Sequence, residues 1–175
     1  MKQRQIHSAS DAEALVAAVT VSANKSLAQL SQLGANGLQA LWSMKVRPVG
    51  CDPLNSESPL NLIEQVNQSF TYIATAKAAC LLIALHPDLL PLSVNLGTSP
   101  GSDIESFQSP GLAAEVFAAV NTSNNRKLAN DMAKVGKCTA AFKYVFFMCP
   151  GYSEGRQPKL ERSDGVQVWS VGDEL

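Results

Sequence analysis

A chain of 175 residues that is 46% hydrophobic is long enough for one domain with a real core. Its 14 basic residues against 15 acidic ones leave a formal charge of -1, so it lacks the positive footprint of a dedicated nucleic-acid binder. Four cysteines, Cys51, Cys80, Cys138 and Cys149, are widely spaced with no CxxC pair, which argues against a zinc knuckle or a thioredoxin-like motif and for reduced, mostly buried thiols.

The first residues, through Asp11, carry positive charge with no apolar stretch behind it, and do not read as a secretory signal. Residues 11–33 follow as an amphipathic helix, with Ala12, Leu15, Val16, Val19, Leu27, Leu30 and Leu33 on one stripe and Gly34 at its end. A second, shorter helix is expected from Gly37 to Lys45 with Leu38, Leu41 and Trp42 inward, broken by Pro48-Val-Gly. Residues 51–59 are rich in turn formers and read as a linker, which divides an N-terminal helical segment (1–50), expected to pack on the core or on a second subunit, from an α/β core (51–175).

Ser58-Pro59 has the form of a helix start, and the helix is expected to run to about Leu85 with Ile63, Val66, Phe70, Ala74, Leu81 and Leu85 inward. Its most apolar part, near residues 73–85, is interrupted by Lys77 and ends at His86-Pro87, which falls short of a membrane span. A cytoplasmic protein without a membrane partner is the expectation.

After Asp88 the pattern changes to period two, and Leu92, Val94 and Leu96 mark a strand. Asp103 to Phe107 form a short second strand, and residues 112–120, small and apolar around Glu115, form a third. A helix from about Asn124 to Val135, capped by Ser123 and ended by Gly136, precedes an apolar strand, Phe142 to Cys149, and a last strand covers Val166 to Ser170.

The chemistry-bearing residues lie between Gly101 and Lys127. A carboxylate within so apolar a run as residues 112–120 is either projected from an open strand face or buried with a partner, because an unpaired buried charge costs several kcal/mol or is neutralised. The ordinary alternatives are an Asp103 that caps a turn and a Glu115 paired to Arg126 or Lys127. Glu105, two residues from Asp103, shares its strand face and makes an alternative metal pair with it, against the ordinary reading of exposed loop charge. Lys45 with Arg47, and Arg126, Lys127, Lys134 and Lys137, are the local basic clusters, and read most simply as solvated helix charges. Tyr144, Phe146 and Phe147 read as core rather than as base-stacking residues. His7 and His86 are too isolated for a metal site or a triad, and no phosphate-binding glycine loop is present.

The order helix, three strands, helix, strand, with one acid on the second strand and another on the third, resembles the core of the PD-(D/E)XK nuclease superfamily over roughly residues 59–149. By that resemblance Asp103 and Glu115 are metal ligands for Mg²⁺ or Mn²⁺, Glu64 is the outer carboxylate of the first core helix, and the substrate is DNA. The family lysine stands two residues after the second acid, where this chain has Phe117. Lys127, at the start of the following helix, is the expected displaced lysine, with Lys77 second. The expectation is therefore an α/β, divergent Mg²⁺-dependent nuclease-like protein. The competing reading is a non-catalytic binding or assembly module that keeps the fold and forms a homodimer through its N-terminal helices.

Overall fold

The computed structural model describes residues 2–33, 36–161 and 165–175. In chain order the elements are β1 (Gln3–Ile6), α1 (Ala9–Leu30), α2 (Gly37–Val46), β2 (Gly50–Asp52), β3 (Asn55–Leu60), α3 (Leu62–Leu85), β4 (Leu92–Asn95), β5 (Ile104–Ser106), β6 (Leu112–Ala118), α4 (Lys127–Gly136), β7 (Phe142–Met148), β8 (Gly155–Arg156) and β9 (Gln167–Ser170). The protein is mixed α/β, and from α3 to β7 it follows the expected order of helix, three strands, helix and strand. It divides into two compact units, one of Met1–Ala12 with Ala74–Leu175 and one of Glu13–Ile73.

The larger unit is built on a sheet of seven strands in the order β1-β4-β5-β6-β7-β9-β8. Strands β4, β5 and β6 form an antiparallel meander, and α4 carries the chain over to β7, which lies parallel to β6. The N-terminal segment pairs with β4 as the edge strand β1. Alternation gives each strand two faces. On β6 and β7 one face holds Ala113, Phe117, Val145 and Phe147, buried with Met132 and Val135 of α4. Leu112, Ala114, Val116, Tyr144 and Phe146 project to the other face and are equally buried. A central strand buried on both sides explains why residues 112–118 show no clean alternation in sequence. It also explains the smallness of Ala113 and Ala114.

In the smaller unit the centre is polar. Gln65 of α3 is 3% exposed, and its Oε1 accepts from Ser26 Oγ at 2.6 Å and from the Cys51 N–H at 3.0 Å, while Nε2 donates to the Ser22 carbonyl at 3.2 Å. A Cβ at Gly50 would collide with Gln65 Oε1, so only glycine lets the β2 backbone lie against this amide. This network corrects several expectations. The segment expected as linker and helix start is the hairpin β2–β3, in which Cys51 pairs with Pro59, and α3 begins three residues later with Asn61 Oδ1 accepting the Glu64 N–H. Pro59 fits because a two-stranded ribbon leaves its missing N–H on an edge.

The helix faces differ from the wheel expectation as well. Gln65, Ser69, Tyr72 and Thr75 of α3 are buried, whereas Ile63, Val66, Phe70 and Leu85 are exposed. On α1 the buried stripe is Ala12, Leu15, Val19, Ser22 and Ser26, and Leu27 is exposed. No residue of α2 is buried, and Leu38, Leu41 and Trp42 are 79%, 64% and 61% exposed. Serine and glutamine displaced the larger apolar residues because they reach the backbone groups of β2 and α1 that would otherwise be buried without partners. By length and composition α3 can cross a membrane, contrary to expectation, with a mean hydropathy of 1.3 over its best stretch; the core helix of a soluble protein meets the same measure.

Candidate functional site

The Ile104–Ala114 pairing of β5 with β6 brings Asp103 and Glu115, the next residues outward on each strand, opposite one another on the α4 face of the sheet. Asp103 is fixed at both ends: its carbonyl accepts the Asn95 N–H at 2.8 Å, and its Oδ2 accepts the Val116 N–H at 2.7 Å. The turn-capping alternative gives way to a carboxylate that bridges strands. Glu115 is 2% exposed, and Lys134 Nζ donates to its Oε2 at 2.8 Å. The partner of Glu115 is thus Lys134 and neither Arg126 nor Lys127.

A third acid joins them. Asp131 of α4 is 4% exposed and accepts from Lys127 Nζ at 2.8 Å through Oδ1. Lys127, Asp131 and Lys134 stand at i, i+4 and i+7, one face of the helix, so a single element delivers two ammonium groups and a carboxylate to the sheet. The spacing is visible in the sequence, but Asp131 was not among the expected site residues. The entry to α4 is irregular: Asn125 and Arg126 are both left-handed, with φ of 50° and 55°, and Ser123 makes no capping bond through its side chain. Two adjacent non-glycine residues in this region cost energy, and they set where Lys127 begins the helix.

Electrostatically the acids hold protons more tightly than free carboxyls. Burial pushes Asp103 up, against the Val116 N–H and the charges of Lys134 and Lys127. Burial also pushes Glu115 up, opposed by the Lys134 hydrogen bond and reinforced by the charge of Asp103. Asp131 is raised by burial and by Asp103, against its bond from Lys127. For Lys134 burial disfavours the ammonium, but the bond to Glu115 and the charges of all three acids outweigh it and raise its pKa. It is therefore a fixed cation at neutral pH.

Two carboxylate oxygens in this cluster, Glu115 Oε1 and Asp131 Oδ2, are buried with no hydrogen-bond partner among the described residues. The Ser102 hydroxyl opposes the upward shift of Glu115 slightly. Buried acceptors left open in this way are the exception in folded proteins. Among the described residues no three His, Cys, Asp or Glu side chains form a ready metal cage. Mg²⁺ needs less than a cage, since it keeps several waters and takes one or two carboxylates plus substrate oxygens. Asp103 and Glu115, with hard oxygens and one open acceptor, fit that requirement.

Each of the other expected residues has partners of its own. Glu64 is exposed, accepts from Gln68 Nε2 at 2.9 Å and belongs to the Glu13–Ile73 unit. Lys77 is half-buried and donates to the Glu174 carbonyl at 2.8 Å. Glu105 turns back to accept the Ser102 N–H at 2.9 Å. Phe117, at the position of the family lysine, is buried and stacks on Phe147 with ring centroids 6.0 Å apart. No protein-family model matches this chain, and no curated protein or solved structure matches it either.

Proposed function

We propose that the protein is a divergent Mg²⁺-dependent phosphodiesterase of the PD-(D/E)XK type that acts on DNA, with Asp103 and Glu115 as the metal ligands and Lys134 as the displaced lysine. The observation that carries this reading is the Lys134 ammonium on Glu115, opposite Asp103. The acid pair and the cation on which such chemistry depends meet on one sheet face although the usual lysine position holds Phe117.

A Mg²⁺ held by the two acids supplies polarisation of the phosphoryl oxygen and a lowered pKa for the attacking water. The protein's own groups do the rest. Asp103 is immobilised by the Val116 N–H, so its carboxylate keeps a set direction. Lys134, held charged by its neighbours, does not serve as a base; it orients the water or stabilises the charge that develops on the phosphoryl group. Lys127, restrained by Asp131, adds a second positive charge at the entry of α4 and suits contact with the phosphate backbone.

Plasmid nicking in Mn²⁺ tests the reading. Wild type is expected to nick and Glu115→Ala to lose activity by a hundredfold or more, on the order of the loss when one charge-stabilising group is removed. Equal traces of nicking in both proteins would overturn it. One observation favours the second reading, a non-catalytic assembly module that pairs through its N-terminal helices: α2 presents Leu38, Leu41 and Trp42 outward, an apolar face of the kind that seats a second chain.

A further inference from the structure

The same sheet face holds a second feature two residues along the ladder from the acids. Between the β5–β6 hairpin and the segment after α4 lies a cleft of about 310 Å³ whose walls include Glu105, Phe107, Gln108, Pro110, Ala113 and Thr139. Phe107, directly after β5, is 84% exposed, and among the described residues its ring stacks on no other. The walls are pinned to each other: the Ala141 N–H donates to the Pro110 carbonyl at 3.3 Å and the Phe142 N–H to the Gly111 carbonyl at 3.2 Å. Gly111, at φ +85°, permits the turn that brings the hairpin tip over the cleft.

We propose that this cleft binds one nucleobase of the strand whose phosphate lies at Asp103 and Glu115, with the base stacked on Phe107. The inference rests on the phosphodiesterase reading and adds to it where the neighbouring nucleotide goes. Glu105 pairs with Ala113 two residues along the ladder from the acid pair, a step of roughly 7 Å at strand rise, which is the reach from a phosphate to the sugar and base beside it. An exposed planar ring next to small walls is the surface on which single-stranded bases stack, and stacking accepts every base because each has a π-face.

The test is binding of labelled single-stranded oligonucleotides to the full chain without divalent metal, so that no cleavage intervenes, read by fluorescence anisotropy. Oligo-dC is expected to bind wild type more tightly than an oligomer of the same length with abasic sugars, and Phe107→Ala to remove that difference, a loss of about five- to a hundredfold by the usual strength of base stacking on an aromatic ring. Phe107→Tyr should restore it, which separates stacking from a folding defect. Binding that ignores the bases, or a Phe107→Ala protein that binds as wild type does, overturns the cleft even if the protein nicks plasmid in Mn²⁺. Base-dependent binding by a chain that never nicks supports the cleft and sinks only the enzymatic reading, whereas neither binding nor nicking overturns both.

Discussion

Lys134 Nζ lies 2.8 Å from Glu115 Oε2, and the ammonium therefore reaches the buried acid from the last turn of α4 rather than from the strand that carries it. The side chain of Lys134 is half exposed while that of Glu115 is 2% exposed, so the pair joins solvent to the sheet interior. Removal of the lysine strands a buried carboxylate, and removal of the carboxylate leaves a lysine that can rehydrate.

That asymmetry gives a first prediction. Lys134→Met should reduce nicking by about a hundredfold or more and destabilise the fold, while Lys134→Arg keeps part of the activity because the charge remains. Since the lysine pKa is raised, wild-type activity should show no alkaline loss until beyond the ordinary lysine value of 10.5. An alkaline limb near neutral pH that Lys134→Arg removes would contradict the assignment.

Glu115→Gln should raise thermal stability at neutral pH. The sign follows from linkage: burial lifts the Glu115 pKa above 4.5, so the folded chain holds this proton more tightly than the unfolded chain. Its stabilising contribution is complete below 4.5 and is lost as pH rises through the folded value, which makes the ionised acid a net cost at neutral pH. The advantage of the variant should therefore shrink as pH falls through the raised folded value and be gone below 4.5, in melting curves at matched salt. His86, which burial shifts downward, titrates alike in both proteins and cancels from the comparison.

Metal binding should be visible without catalysis. If Asp103 and Glu115 share an ion, Mg²⁺ or Mn²⁺ at a hundredfold excess over its Kd stabilises the fold by about 2.7 kcal/mol. Differential scanning fluorimetry should show the rise in wild type and its loss in Asp103→Ala. A rise that survives in Asp103→Ala places the ion elsewhere.

Gln65→Leu should weaken the protein by about 3 kcal/mol in urea unfolding, because it leaves the Cys51 N–H and the Ser22 carbonyl buried without their partner. Ala in place of the exposed Ile63 should change stability by under about 0.5 kcal/mol, the usual range for surface sites. The reverse ranking would restore the apolar stripe as the core of this helix.

The outward face of α2 bears on association. Leu38→Glu combined with Leu41→Glu should convert a dimer to a monomer in light scattering and leave the fold intact, since neither residue is buried. A wild type already monomeric at high concentration would remove the self-pairing reading.

Much of the architecture is legible in the chain itself. Period-two runs at residues 92–96 and the apolar stretch of 142–149, set between proline and glycine breaks, place the strands, and the spacing of Lys127, Asp131 and Lys134 already puts three charged groups on one helix face. The isolation of Glu115 among alanines marks it as a residue that needs a partner.

Which partner it takes was decided only in three dimensions. Strand register, set by hydrogen bonds between residues distant in sequence, brings Asp103 opposite Glu115, and the parallel crossover of α4 lays Lys134 over them. The same holds for the smaller unit, where a helical wheel assigned Ile63, Val66 and Phe70 to the core. A wheel ranks residues by hydrophobicity alone, but burial is also governed by the backbone polar groups a neighbour presents, and here β2 and α1 present them to Gln65. Local pattern determines which elements form and where charge is unusual; the pairing of those charges, and the face each helix buries, are properties of contacts that the one-dimensional order does not contain.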